Sequence, residues 1–261
     1  MDYQTTIAAN LRRLRLPGMA DNLSLRLQEA HDRQLGYQEF LHLMVGDEIA
    51  NRESNNFEKR IRLARFSEDC NFATYDFHFN ADQLPPATVR DLATCDFIRQ
   101  KQNLVLAGPP GIGKSFVAQA IGHEACRRGF EVLFAKTHKL LAQLQDELHP
   151  RRAQTLMERA RCVDLLILDD FGFRAYNQDE AELLYTVADE RLAKRSTIIT
   201  SNRPPEDWYS VFHDPVTGGA ILDRLISGAV KIMTTKGRSY RKEGRKPAAP
   251  TELDSAPAAE R

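Results

Sequence analysis

The sequence is short of several features that would fix its class at once. No uninterrupted apolar run approaches the roughly 20 residues that span a bilayer, and the opening MDYQTTIAANLRRLRL has no apolar core of the kind that directs export. A membrane partner is therefore not expected, and a cytoplasmic location is. Net charge is absent as well: 36 Lys and Arg balance 36 Asp and Glu, which by itself argues neither for nor against nucleic acid. Cysteine is sparse, and Cys70, Cys95, Cys126 and Cys162 form none of the close pairs that mark a zinc site or a redox motif. His123 and Glu124 open a zinc-binding helix pattern, but the fifth position is Arg127, so the pattern fails. No internal repeat and no helix-turn-helix or zinc-finger motif is evident, so any DNA contact is expected to be weak in sequence preference.

What the chain does have is the stretch NLVLAGPPGIGKS, Asn103 to Ser115. Leu104 to Ala107 read as an apolar strand, Gly108, Pro109, Pro110, Gly111, Ile112 and Gly113 as a tight turn, and Lys114, Ser115 and Phe116 as the start of a helix. This is the arrangement that cradles the phosphates of a nucleoside triphosphate. Glycines let backbone N–H groups turn inward, and the helix adds its positive end. Lys114 is then expected to bridge the β and γ phosphates, and Ser115 to place its hydroxyl on Mg²⁺. The plain alternative is a glycine turn that binds nothing.

Around this stretch the chain divides into three parts. Residues 1 to 75 are expected to form a helical domain, with breaks at Pro17–Gly18 and Gly36 and apolar residues at helical spacing between them. Lys59, Arg60, Arg62 and Arg65 form either a solvated helix face or a phosphate-contacting one. The alternating aromatics Phe72, Tyr75, Phe77 and Phe79 predict an extended lead-in, and Phe77 fits either interdomain packing or a contact with a nucleotide base. Residues 76 to 246 alternate strand and helix. Strands are expected at Glu131–Ala135, Val163–Asp170 and Ser196–Asn202, and helices at Lys114–Arg128, Lys139–Leu148 with Thr137 as cap, a further one through Arg161, and Asp179–Lys194. Such alternation implies a parallel sheet flanked by helices. Residues 247 to 261, rich in Pro and Ala, are expected to be disordered.

Parallel sheets bind ligands at the carboxyl ends of their strands. Asp169 is the expected Mg²⁺ ligand there, and Asp170 stands where a general base would activate water. Asn202 is expected either to sense the γ phosphate or to serve as a turn residue before Arg203 and Pro204. Further on, Arg224 lies on an expected helix and reads either as an arginine finger for a neighbouring subunit or as the partner of Asp223 or another acid; Arg174 and Arg203 are weaker finger candidates. Eight basic residues between Arg224 and Lys246, against the single acid Glu243, form a local basic end: Arg224, Lys231, Lys236, Arg238, Arg241, Lys242, Arg245 and Lys246.

Taken together, LRRLRLPGMADNL, YDF, the glycine loop, LLILDDFG, TIITSNRP, EDWYSVFHD, AILDRL and GRSYR resemble the IstB family of AAA+ ATPases, the transposition helpers of insertion sequences, related to DnaC helicase loaders. The resemblance spans nearly the whole chain. It implies an α/β P-loop NTPase of the AAA+ ASCE type with an N-terminal helical domain, hydrolysing ATP with Mg²⁺. It further implies a homo-oligomer with ATP sites between subunits, sequence-nonspecific DNA contacts and a partner transposase of the same insertion sequence. Two departures stand out. Too little chain follows Arg224 for a full helical lid, leaving Arg238 or Arg241 as candidates to reach nucleotide or DNA, and Asp170 replaces the usual Glu, which bears on hydrolysis rate. The alternatives are a DnaC-type helicase loader, a small-molecule P-loop kinase, and a DNA-binding adaptor that holds ATP without hydrolysing it.

Overall fold

A computed structural model describes residues 3–67, 70–234 and 236–240. Arg241, Lys242, Arg245, Lys246 and the tail 247–261 lie outside the described residues. The chain forms two compact units that divide between Arg62 and Leu63. Residues 63 to 75, expected with the helical domain, thus belong to the second unit.

In the first unit, helices α1 (Tyr3–Arg13) and α2 (Pro17–Arg33) accompany the long helix α3 (Tyr37–Ala64), whose final residues pass the division. The break at Pro17–Gly18 is a docking device. Pro17 opens α2 where its missing N–H costs nothing. Gly18 lies so close to α3 that a Cβ would stand 2.7 Å from Asn51 Cβ and from the Asp47 carbonyl. Glu48, only 5% exposed, accepts from the N–H groups of Gly18 at 2.8 Å and Met19 at 3.3 Å, setting a carboxylate on the positive end of α2. Arg26 forks onto Asp47 at 2.8 and 2.7 Å, which holds that carboxyl below its usual range.

The second unit contains α4 (Pro86–Leu92), α5 (Asp96–Arg99), β1 (Leu104–Ala107), α6 (Lys114–Arg127), β2 (Val132–Lys136), α7 (Thr137–Leu144), α8 (Pro150–Cys162), β3 (Leu165–Asp169), α9 (Gln178–Arg191), β4 (Ser196–Ser201), a 3-10 helix (Pro205–Val211), α10 (Pro215–Ile226) and β5 (Val230–Met233). The strands form one sheet in the order β2-β3-β4-β1-β5, every pair parallel. Strands β1, β3 and β4 are buried throughout, as continuous apolar runs in a doubly covered sheet should be. α6 ends in a Schellman turn at Gly129 (φ 96°), with Gly129 N–H donating to Cys126 and Phe130 N–H to Ala125.

Several expectations need correction. The aromatic segment after Asn71 is a chain of turns rather than an extended lead-in. Asn71 and Asp76 each turn a side-chain oxygen onto N–H groups two and three residues on, which out-competes extension. Thr137 is not a cap: its hydroxyl donates to the Asp169 carbonyl at 2.9 Å and ties α7 to β3. α7 accordingly starts at Thr137 and stops at Leu144, before the expected Leu148. Strand β5 was not foreseen, because Val230–Met233 is a half-exposed edge whose alternation is too short to read.

The single tryptophan organises the turn that follows β4. Trp208 is fully buried against Phe171, ring centroids 4.7 Å apart. Its indole N–H donates to Ser201 Oγ at 3.1 Å and to the Arg203 carbonyl at 3.0 Å. The sequence TSNRP is thereby locked onto the sheet edge. Arg191, also buried, donates to the carbonyls of Ala160 at 2.9 Å and Val163 at 2.8 Å and to Thr197 Oγ at 3.1 Å, joining α8, α9 and β4.

Candidate functional site

The glycine loop leaves β1 and enters α6. Gly111 (φ 87°) and Gly113 (φ 103°) hold the left-handed backbone that turns successive N–H groups to one side. Gly113 is the N-cap of α6 and no side chain caps the helix there, so the positive end of α6 begins at the loop. Lys114 folds back over it, 7% exposed, and its ammonium donates to the carbonyls of Gly108 and Pro109, both at 2.8 Å, and to Asn202 Oδ1 at 2.9 Å. Ile112 is buried, while Ser115 and Phe116 on the first turn of α6 are half-buried and Pro110 is exposed.

The sheet register supplies the other groups. Ala107 pairs with Ser201, and Lys136 pairs with Asp169, so the ends of β1, β2, β3 and β4 meet at one edge. Asp169 is 2% exposed and its Oδ1 accepts from the Thr200 hydroxyl at 2.5 Å. The same hydroxyl oxygen accepts from the Asp170 N–H at 3.1 Å. Asp170 itself leaves the strand in the left-handed region (φ 55°), so the two neighbouring carboxylates do not follow strand alternation. Its Oδ2 accepts from the Lys136 ammonium at 2.9 Å. Thr200 and Lys136 escaped the sequence reading. The signal available was position: both sit at the carboxyl end of a strand in a parallel sheet, where all ends converge.

The structure thus brings Lys114, Asn202, Asp169 and Asp170 to one edge. It places Arg224 elsewhere. The Arg224 carbonyl accepts from Asn103, which precedes β1 at the end opposite the loop. Its guanidinium donates to Asp189 Oδ1 at 2.7 Å and to the Tyr185 hydroxyl at 3.0 Å, and lies over the Tyr185 ring. The hydrogen bond to Asp189 raises its pKa further. Asp189 of α9 is therefore the partner within the chain, rather than Asp223. Arg174 forks onto Glu180, and Arg203 is exposed beside the Trp208 turn. Phe77 packs edge-on against Tyr75 at 4.8 Å, and Tyr75 stacks on Phe116 at 5.6 Å, so an aromatic cluster abuts the start of α6.

A strand-loop-helix phosphate cradle, β4 inserted between β1 and the acid-bearing β3, and a polar residue closing β4 define a P-loop NTPase of the AAA+ class. The chain belongs to the IstB-like ATP-binding protein family, whose model matches residues 9–248. It is 40% identical over 234 residues to an ATP-binding protein in an insertion sequence of Mycobacterium tuberculosis, covering 88% of this chain and 92% of that protein. It is 34% identical to the IS21 ATP-binding protein of Pseudomonas aeruginosa, covering 90% and 89%. Among solved structures, the DnaC helicase loader superposes with a TM-score of 0.55 at 20% identity, covering 64% of this chain and 97% of that one, which shows the shared fold. The chain is thus an ATP-binding AAA+ protein of the insertion-sequence type. Among the described residues no helix is long and apolar enough to cross a membrane.

Proposed function

We propose that this protein hydrolyses ATP and uses its nucleotide state to assemble on DNA and assist the transposase of its insertion sequence in choosing or remodelling target DNA. The observation that supports hydrolysis is the convergence of Lys114, Asn202, Asp169 and Asp170 at one strand edge. In this reading Lys114 exchanges the loop carbonyls for phosphate oxygens, keeping Asn202 beside the γ phosphate. Asp170 takes the proton from the attacking water, and its backbone is held for this by Thr200. Ser115 and Asp169 offer the oxygen donors that suit Mg²⁺, which when bound neutralises phosphate charge. Arg224 is read as the group that completes a neighbour's site, released from Asp189 in a homo-oligomer.

DNA contact is assigned to backbone phosphates. Lys59 and Arg62 are exposed on α3, and Lys231 is exposed on the edge strand β5. Affinity is then expected to fall by about one power of salt concentration per phosphate neutralised. Colorimetric phosphate release tests the reading: turnover by the wild type and its loss in Lys114→Ala support it, and undiminished turnover in that variant refutes the site. Retention of DNA that does not respond to salt would refute the backbone contact, and recovery of a replicative helicase instead of the transposase would favour a loader.

A further inference from the structure

Beyond β5 the chain turns back across the phosphate loop. Thr234 donates to the Ala107 carbonyl twice, from its N–H at 2.9 Å and its hydroxyl at 3.1 Å. Further on, the Tyr240 N–H donates to the Gly111 carbonyl at 3.0 Å. The contact is close enough to set the loop's composition. A Cβ on Gly108 would stand 2.3 Å from Thr234 Oγ1, one on Gly111 2.2 Å from Ser239 Oγ, and one on Gly237 2.7 Å from Ile112 Cγ2. A Cβ on Gly113, in contrast, would meet no neighbour within 4 Å. Two of the three loop glycines therefore make room for the carboxyl-terminal segment as well as for phosphate.

Asn80 holds that segment down. It is 8% exposed, sits in the left-handed region (φ 56°), and spends both amide atoms on one residue: Nδ2 donates to the Arg238 carbonyl at 2.9 Å, and Oδ1 accepts from the Arg238 N–H at 2.9 Å. Only a side-chain amide offers a donor and an acceptor in that pairing. Phe79 next to it packs edge-on against Tyr240 at 4.9 Å and lies under the Arg238 guanidinium at 5.1 Å. Asn80, Gly237 and Arg238 also border a cavity of about 540 Å³.

We propose that Lys236–Tyr240 is a strap that holds the phosphate loop in its binding shape, that Asn80 is the positioning residue that seats it, and that ATP binding and strap seating reinforce one another. This rests on the loop being the ATP site. A loop with three glycines is entropically costly to order. The strap bonds to it at Gly111 and packs on Ile112, and Thr234 just before the strap bonds to Ala107 and lies against Gly108, so part of that ordering precedes ligand binding. Linkage then requires the converse: whatever the strap adds to ATP affinity, ATP adds to strap seating.

The test pairs a fluorescent ATP analogue with limited trypsin digestion after Lys236 and Arg238. Wild type is expected to bind the analogue and, with ATP and Mg²⁺, to be cleaved more slowly at those bonds. Asn80→Ala, which loses two hydrogen bonds, is expected to bind about tenfold more weakly and to lose the protection. Tyr240→Pro removes the N–H on Gly111 without touching the core, so it serves where Asn80→Ala does not fold, with a several-fold loss expected. A melting temperature lowered in folded Asn80→Ala with affinity and protection unchanged would show a merely structural residue and overturn the proposal. Equal cleavage of wild type with and without ATP, while the analogue still binds, would overturn it as well. Failure of wild type to bind the analogue would instead remove the ATP-site reading on which the strap depends.

Discussion

The ammonium of Lys136 lies 2.9 Å from Asp170 Oδ2, so the acid assigned to water activation is held by a cation from the neighbouring strand. Both side chains are partly exposed, 38% and 27%, and such a pair is worth at most about 1 kcal/mol. That bounds its influence. If only unpaired Asp170 accepts a proton, Lys136→Met raises steady-state turnover by no more than about fivefold and leaves KM for ATP within about twofold. A large fall in turnover would mean that Lys136 takes part in the reaction rather than restraining Asp170.

Thr200 carries a different kind of load. Its buried hydroxyl donates to Asp169 and accepts from the Asp170 N–H. Thr200→Val keeps the shape and removes both bonds, leaving a polar pair unsatisfied beside the site. The expected loss is about 1 to 3 kcal/mol in urea denaturation, together with a higher Mg²⁺ requirement for turnover. Unchanged stability would show that water replaces the hydroxyl.

Arg224 and Asp189 separate a finger from a surface pair. Arg224→Ala is expected to bind nucleotide normally and to lose the part of its turnover that rises with protein concentration. Asp189→Ala frees the guanidinium and is expected to keep that part, at a stability cost below about 1 kcal/mol, since Asp189 is about half exposed. Normal turnover in pure Arg224→Ala would leave the residue with a structural role alone.

Acid should weaken the second unit through Glu180. This carboxylate is 3% exposed, paired with Arg174, and accepts from the Asn177 N–H in the capping box of α9. Those partners hold its pKa below the ordinary 4.5, the bond to Arg174 contributing most. The folded state thus binds its proton less readily than the unfolded chain. The stabilisation is complete above the ordinary value and is lost as pH falls through the lowered one. Glu180→Gln is expected to melt lower at neutral pH and to show a shallower decline as pH falls below the ordinary value of 4.5. A parallel decline in both proteins would assign the acid sensitivity to other groups.

How much of this was legible in the sequence depended on whether the signal was local. The strand, turn and helix around the glycine loop, the apolar run into Asp169 and Asp170, and the helix that starts near Asp179 are patterns within a few residues, and they read correctly as local structure. Lys136 and Thr200 are ordinary residues whose importance comes from register between strands. The Asn80–Arg238 clamp joins a side chain to a backbone 158 residues away, where no side-chain identity at the far end reports it. The turns after Asn71 misled for a related reason: aromatic alternation imitates a strand when Asn and Asp are already bending the backbone. PGM at Pro17 to Met19 was legible as a break and as part of a family pattern, but its fit to Glu48 was not, since that is a contact between helices.

The central claim, that Asp170 turns a nucleotide-binding edge into a hydrolytic one, is tested most directly by single-turnover phosphate release from Asp170→Asn alongside equilibrium ATP binding. The account predicts unaltered affinity and release slowed by about a hundredfold or more, the scale of losing a general base. Release at the wild-type rate from Asp170→Asn with ATP bound would contradict it.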